Sequence, residues 1–286
     1  MPNQKTIFIT GVSTGIGRAT LEACIQNGYF VIGTVRKTVD KVVIESQFSN
    51  KCHILIFDVI DAVAMSQQID SVKHMLADHG LAALINNAGI AVPGPLECLS
   101  EEDFEMQMDV NVKAVRRVTN ALLPYLIKSK DEKKIIINIS SVSGLFNSPY
   151  NGAYCISKHA LESMTDVYRR ELAGFGIKVV AVEPGPIKSE IWNKNLNGLK
   201  KYENSRYGSI LKNANDMITA SERSALPVET ISDLIIKILQ SNNPKTRYLV
   251  HRKKLLFKLL AYWLPDKMVD KMVTRTMAKA KSYRPV

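Results

Sequence analysis

The chain has 286 residues, 46% of them hydrophobic and 23% charged, proportions of ordinary globular protein that exclude a disordered chain, a collagen-like repeat and a disulfide-held miniprotein. Folding at this length buries roughly 70–75% of the unfolded surface, so one large domain or two ordinary ones can form a core without metal or disulfide staples. The formal charge of +11 is uneven, with 12 Lys/Arg against two Asp in residues 241–286; basic residues interleaved with stacking aromatics in a recognised module are lacking, which excludes nucleic acid as a partner.

The first ten residues, MPNQKTIFIT, lack the charged start, apolar run and cleavage site of a signal peptide, and no window approaches 18 consecutive apolar residues. The protein is therefore expected to be neither secreted nor membrane-spanning. Cys24, Cys52, Cys98 and Cys155 stand far apart without a C-x-x-C pair and read as reduced thiols of a cytoplasmic protein. The strand KTIFIT (5–10) precedes a helix over 15–27, YFVIGTV (29–35) a weak helix near 40–48, and HILIFDV (53–59) a helix over 61–78. LAALINN (81–87) comes before a helix over 100–128 that opens at Ser100 with Glu101, Glu102 and Asp103 behind it, and that Pro124 is expected to kink. KIIINIS (134–140), a helix over 154–174, IKVVAVEP (177–184) and a last strand at Arg247 to Val250 complete the series. This cadence of continuously apolar strands and helices predicts an α/β fold: a single doubly wound parallel sheet of Rossmann type, covered on both faces. Residues 1–250 are expected to form one domain, followed by a basic amphipathic helical extension over 251–286.

Thr10-Gly11-Val12-Ser13-Thr14-Gly15-Ile16-Gly17 links the first strand to its helix. Gly11 permits a tight turn, Gly15 a close approach of backbone to a pyrophosphate, and Gly17 close packing of the helix, whose N-terminus supplies amide donors. In such a site an acidic residue ending the second strand would hold a ribose hydroxyl, but this strand ends in Arg36-Lys37. A guanidinium there pairs with a 2′-phosphate, which makes NADP(H) the expected cofactor.

Tyr154 and Lys158 lie four apart at the start of a helix, so they share a face. A tyrosine is a poor base near neutrality, its ordinary pKa being about 10, and a neighbouring ammonium is expected to bring it down. Ser141, just past KIIINIS, is placed to donate to the carbonyl oxygen that Tyr154 would protonate. Asn86-Asn87-Ala88-Gly89 ends the fourth strand, and Asn111 stands inside a helix, a poor place for Asn unless its side chain has a job. His159 points about 100° away from Lys158 around the helix and reads as structural. His74 and His79 have the wrong spacing for a helical metal face, so no metal is expected, and Cys155 reads as a small buried apolar residue.

Taken in order, the glycine turn, Asn86-Asn87-Ala88-Gly89, Asn111, Ser141, Tyr154-x-x-x-Lys158 and Pro184-Gly185 resemble the short-chain dehydrogenase/reductase family over roughly residues 5–250. Tyr154-Cys155-Ile156-Ser157-Lys158 and Arg169-Arg170-Glu171-Leu172 are similar to its retinol and 17β-hydroxysteroid dehydrogenase-like members. The resemblance implies Tyr154 as catalytic acid/base, Lys158 as ribose ligand and pKa tuner, Ser141 as carbonyl orienter and Asn111 as holder of a relay water. It implies cofactor contacts at Gly11, Ser13, Thr14, Gly15, Ile16, Gly17, Arg36, Asp58, Val59, Asn87, Ala88, Gly89, Tyr154, Lys158, Pro184, Gly185, Ile187 and Ser189, and a homo-oligomer. The threonine that often follows the family's Pro-Gly pair is missing here, with Ser189 as the surviving hydroxyl, and the N-terminal membrane helix of many retinol and steroid relatives is not expected from MPNQKTIFIT.

The expected function is NADP(H)-dependent interconversion of a carbonyl and an alcohol on a lipophilic substrate, steroid-, retinoid- or fatty-like. Its alternatives are a 3-oxoacyl carrier-protein reductase and a non-catalytic NADP-binding sensor or scaffold. Residues 186–225, with Ile187, Trp192, Leu196, Leu199, Tyr202, Tyr207, Ile210 and Met217, would either fold over the nicotinamide as an apolar lid or pack on the core. Val92, Leu96, Leu145, Phe146 and Tyr150 would complete the pocket. In the tail, Leu255, Leu256, Leu259, Leu260 and Trp263 mark one apolar face and Met268, Val269, Met272, Val273 and Met277 another, opposite Lys267, Lys271, Arg275 and Lys279. Two readings are open for 252–281: peripheral contact with an anionic membrane, or packing on the protein or a second subunit.

Overall fold

The computed structural model describes residues 4–188, 198–211 and 223–278. Its strands β1 (Thr6–Ile9), β2 (Phe30–Val35), β3 (Cys52–Ile56), β4 (Ala83–Asn86), β5 (Lys134–Ile139), β6 (Ile177–Pro184) and β7 (Arg247–Val250) form one parallel sheet in the order β3-β2-β1-β4-β5-β6-β7. Between them run α1 (Gly15–Gln26), α2 (Thr38–Gln47), α3 (Ala62–Ser71), α4 (Lys73–His79), α5 (Glu101–Met108), α6 (Ala114–Lys128), α7 (Gly152–Glu171), the short α8 (Gly208–Leu211) and α9 (Glu229–Gln240). After β7 come α10 (Lys254–Tyr262) and α11 (Asp266–Ala278).

Alternation within the central strand explains the two layers. Ile7 and Ile9 point into a core completed by Leu21, Cys24 and Ile25 of α1 and Ile231 and Ile235 of α9, whereas Phe8 points into the opposite core with Ile69 of α3 and Val118 and Leu122 of α6. Every residue of β1 is buried, as expected of a strand covered on both faces. The chain leaves β1 for β2 on one side and crosses to β4 on the other, so a crevice opens beyond the carboxyl ends of β1 and β4.

The helices depart from the sequence pattern in instructive places. The predicted helix 61–78 breaks at Val72, whose buried side chain turns the chain into α4 while Ile69 and Leu76 stay in one core. The predicted helix 100–128 is interrupted, but not by Pro124, which α6 carries in its interior. The interruption is a π-helical turn over Asp109–Lys113, upstream of the proline and centred on Asn111. Ser100 caps α5 as expected, accepting the Asp103 amide at 3.2 Å. Among the described residues no helix is long and apolar enough to cross a membrane.

Candidate active site

The turn out of β1 is built around polar contacts that leave α1's N-terminus available. Gly11 and Gly15 adopt φ of +71° and +58°, the left-handed region that favours glycine. The Gly11 amide donates to Thr34 Oγ1 (3.0 Å), Thr10 Oγ1 accepts the amides of Asn87 and Ala88 (3.0 Å each), and Asn87 Nδ2 donates to the carbonyls of Thr10 and Gly11 (2.9 Å each). A Cβ on Gly17 would collide with the Gly11 carbonyl and the Asn87 amide, so the helix start sits directly against this turn. Thr14 makes no side-chain cap and the first turn of α1 carries no acidic residue. Free helix amides beside Ser13, with Thr14 exposed and Ile16 packed on the core, fit an anionic diphosphate.

At the end of β2, Arg36 projects into solvent, with Asp58 Oδ2 3.9 Å from its Nη1. Asp58 also accepts the Ile60 amide (3.2 Å), while the Val59 side chain is buried in the core, leaving only its backbone for a ligand. The exposed guanidinium, held by one long contact, suits a 2′-phosphate at the rim of the crevice.

The second cluster lies at the carboxyl edge of β4 and β5. Asn111, 1% exposed, accepts the Ile90 amide through Oδ1 (2.9 Å) and donates from Nδ2 to the Ile90 carbonyl and Ser157 Oγ (3.0 Å each). The π turn rotates this side chain out of the regular helical row, so the polar residue that seemed misplaced is clamped to the chain after Gly89. Lys158, buried on α7, donates to the Ile139 carbonyl (2.8 Å), and its Nζ lies 5.6 Å from the centre of the Tyr154 ring. A Cβ on Gly89 would stand 3.4 Å from Asn111 Oδ1 and 3.8 Å from Lys158 Nζ, so this glycine keeps the space between them open. Ser141 shares a hydrogen bond with the Tyr154 hydroxyl and accepts the Ser143 amide at 3.1 Å.

The charge environment departs from expectation. Desolvation pushes the Tyr154 phenol above its ordinary value, with the Ser141 hydrogen bond pulling the other way. Lys158 was expected to draw the phenol down; instead burial pushes the lysine itself down to about 8, against the pull of Glu162. The physical reason is that Lys158 is buried and Tyr154 half-buried beside it, so desolvation disfavours phenolate and ammonium alike.

Pro184 ends β6, and the Gly185 amide donates to the Val250 carbonyl (2.8 Å). Ile187 is buried and bridges to Leu226, whose amide donates to the Pro186 carbonyl (2.8 Å) and whose carbonyl accepts the Lys188 amide (2.9 Å), closing the base of the 186–225 segment. Ser189, Trp192, Leu196 and Met217 lie outside the described residues. Leu199 and Tyr202 are buried in a small core of their own against Leu99, Tyr150 and Tyr207. For this part of the segment, packing is what the structure shows.

Several supporting residues were given no role by the sequence. Gln107, fully buried, holds Val92 and Ile90 by bonds of 2.8 and 2.9 Å, working with Asn111 on the same segment. Ser157 bridges Asn111 to the Tyr154 carbonyl (2.8 Å), and Asn86, Asn138 and Thr165 link β4, β5 and α7 by bonds of 2.8 and 2.9 Å. Only Asn86 and Asn138 left a signal, as polar residues in otherwise apolar runs. His159 contacts the Cys155 carbonyl at 2.9 Å and Cys155 is buried, both in structural positions.

The sequence profile described as short chain dehydrogenase matches residues 5–199. An NADPH-dependent 3-dehydrocapnine reductase of Ornithobacterium rhinotracheale is 38% identical over 273 residues, covering 95% of this chain and 96% of the relative. A 3-ketodihydrosphingosine reductase of Bacteroides thetaiotaomicron is 33% identical over 269 residues, covering 93% and 95%. The solved structure of ElxO with NADP bound superposes with a TM-score of 0.70 at 26% identity, covering 87% of this chain and 97% of that one. Retinol dehydrogenases of mouse, human and rat are further relatives. With the matched profile spanning the glycine turn, Asn111, Ser141, Tyr154 and Lys158, the chain belongs to the short chain dehydrogenase family of oxidoreductases.

Proposed function

We propose that the protein is an NADP(H)-dependent reductase of a lipophilic ketone, with a long-chain, fatty-like substrate favoured over a steroid or retinoid. The observation that carries the reading is the convergence of Tyr154, Ser141, Lys158 and Asn111 around the gap kept by Gly89. The names of two relatives, the 3-dehydrocapnine and 3-ketodihydrosphingosine reductases, support the fatty side of the choice.

Bound NADPH would supply hydride to the carbonyl carbon. The glycine turn and α1's N-terminus would hold its diphosphate, Arg36 its 2′-phosphate and Lys158 its ribose, with Asn87, Ala88, Gly89, Pro184, Gly185 and Ile187 as further contacts and Ser189 as the hydroxyl that the resemblance assigns to the cofactor. Ser141 donates a hydrogen bond to the substrate oxygen, and Tyr154 transfers its phenolic proton to that oxygen as the alcohol forms. A phenol held above its ordinary pKa remains protonated at neutral pH, the state that reduction requires. Asn111, fixed through both amide atoms, positions a water that returns the proton by way of Lys158. The four free cysteines suit a reducing compartment, the cytoplasm, and a homo-oligomer is part of this reading.

A screen of NADPH oxidation with 3-ketodihydrosphingosine, retinal, a steroid ketone and a 3-oxoacyl thioester tests the assignment, and the highest kcat/KM is expected on the sphingoid ketone. Preference for the thioester on its carrier protein would establish the carrier-protein alternative. NADPH binding without turnover of any carbonyl would establish the sensor. Arg36→Asp should weaken NADPH by about tenfold to a hundredfold, the loss of one charge-assisted contact worth roughly 1.5–3 kcal/mol, while NADH improves. Wild-type preference for NADH would refute the role of Arg36. NADPH binding should also weaken as pH rises through about 8, because Lys158 loses its ammonium there. Titration calorimetry across that range checks this, and Lys158→Met should flatten the dependence.

A further inference from the structure

We infer that α10 and α11 dock the enzyme on an anionic lipid surface, with the active-site edge of the sheet turned toward it. The inference rests on the lipophilic-substrate reading for its purpose, but its test needs no substrate. In α10 the half-buried Phe257 packs edge-on against Phe146, in the loop after Ser141, at 6.0 Å, and lies 4.4 Å from the ring of His251. This face of the helix is the one that covers the body of the protein. The opposite face is as apolar and is in solvent: Leu255 is 84% exposed and Trp263 79%, with Leu259 and Tyr262 between them on the same side. In α11, Met268 and Met272 are likewise exposed. One face would suffice to pack α10 on its own domain, so the second requires another surface.

Charge selects that surface. Exposed Lys254 and Lys258 lie on α10 one step around from the outer apolar row, and exposed Lys267, Lys271 and Arg275 stand in the same relation to Met268 and Met272. Residues 251–286 hold ten Lys/Arg against two Asp. A second copy of the chain, docked by a two-fold axis through this face, would set basic row against basic row. An anionic bilayer instead neutralises the lysines at headgroup depth while Leu, Trp and Tyr enter the acyl boundary, the division that interfacial helices use. The surface is convex, a helix back and not a groove, which suits a fluid partner better than a folded one. Because Phe257 sits against Phe146 and His251 against Gly185, the docked helix lies at the carboxyl edge of β5, β6 and β7, where Ser141 stands. A lipid ketone leaving the bilayer would enter at that edge.

The test is co-sedimentation of the full chain with phosphatidylcholine vesicles, with and without phosphatidylglycerol, at low and high salt. Fluorescence of Trp263 is followed in parallel in a Trp192→Phe background. Sedimentation is expected only with phosphatidylglycerol and low salt, because screening shortens the reach of the lysines, together with a blue shift of Trp263. Leu255→Glu/Trp263→Glu and, separately, Lys267→Glu/Lys271→Glu should each reduce vesicle partitioning roughly tenfold or more. Thermal unfolding of both variants should match wild type, since all four side chains are exposed. No association at low salt, equal association with neutral vesicles, or binding unchanged in both double variants would overturn the inference. A dimer that becomes a monomer in Leu255→Glu/Trp263→Glu, with no vesicle binding by wild type, would assign the face to a second copy. Failure of the substrate screen with intact vesicle binding would refute the substrate alone.

Discussion

Tyr154→Phe should lower kcat for carbonyl reduction by roughly 10²–10⁴-fold, the usual contribution of a positioned general acid, while the Kd for NADPH stays within about a factor of two. The substitution keeps the ring over which Lys158 Nζ lies at 5.6 Å and removes only the hydroxyl that meets Ser141. At neutral pH the wild-type phenol is protonated, so reduction should be flat with pH there, whereas alcohol oxidation, which needs the phenolate, should rise with pH. Stopped-flow kinetics in both directions with a fluorescence titration of NADPH separates the effects. A Phe variant that retains turnover, or that loses cofactor binding along with it, would show Tyr154 to be structural.

The strands were legible because a parallel sheet covered on both faces writes itself as uninterrupted Ile/Val runs; Ile7, Phe8 and Ile9 feed two cores without a polar residue between them. The glycine turn was legible for a comparable reason, since only glycine tolerates its backbone and its approach to Asn87. What the pattern could not carry was local geometry set by tertiary contact. Asn111 announced itself as an anomaly in a helix, but nothing in its neighbours signalled that Asp109–Lys113 would widen into a π turn to aim it at Ile90. The upward shift of Tyr154 was hidden as well, because spacing shows that a lysine is near but not how far the fold desolvates both groups. The tail's two apolar faces were visible, but which of them met protein depended on Phe257 finding Phe146, more than a hundred residues away in the chain.

Arg247→Met should be the most destabilising substitution outside the apolar core. From β7 the guanidinium reaches Glu162 (3.0 Å) and Asp166 (2.8 Å) on α7 and Glu183 (3.5 Å) on β6, and the two glutamates are 8% and 3% exposed. Without the arginine, two buried carboxylates that repel each other keep only the weaker pull of Lys258 and Lys254 on Glu183. Breaking a buried pair costs about 3–5 kcal/mol, and the partial exposure of Arg247 reduces this to about 2–4 kcal/mol, or a fall in Tm of roughly 5–15 °C. The loss has a pH signature. Burial and Glu162 already push Glu183 up to about 7, against the pull of Arg247. A carboxyl whose folded pKa lies above its ordinary value favours the fold when protonated, and that contribution is lost as pH rises through about 7. Removing the arginine raises the value further, so the deficit of the variant should be larger at pH 8 than at pH 6, and Glu183→Gln should recover much of it at pH 8. Thermal melts at the two pH values decide the matter: equal destabilisation at both would mean that Arg247 acts through packing and not charge. Because α7 carries Tyr154 and Lys158, and Glu183 directly precedes the Pro184 whose carbonyl lies 3.5 Å from Ser141 Oγ, loss of turnover should track loss of stability. The ion cluster thus fixes the helix and strand that set the distance between the proton donor and the serine beside it.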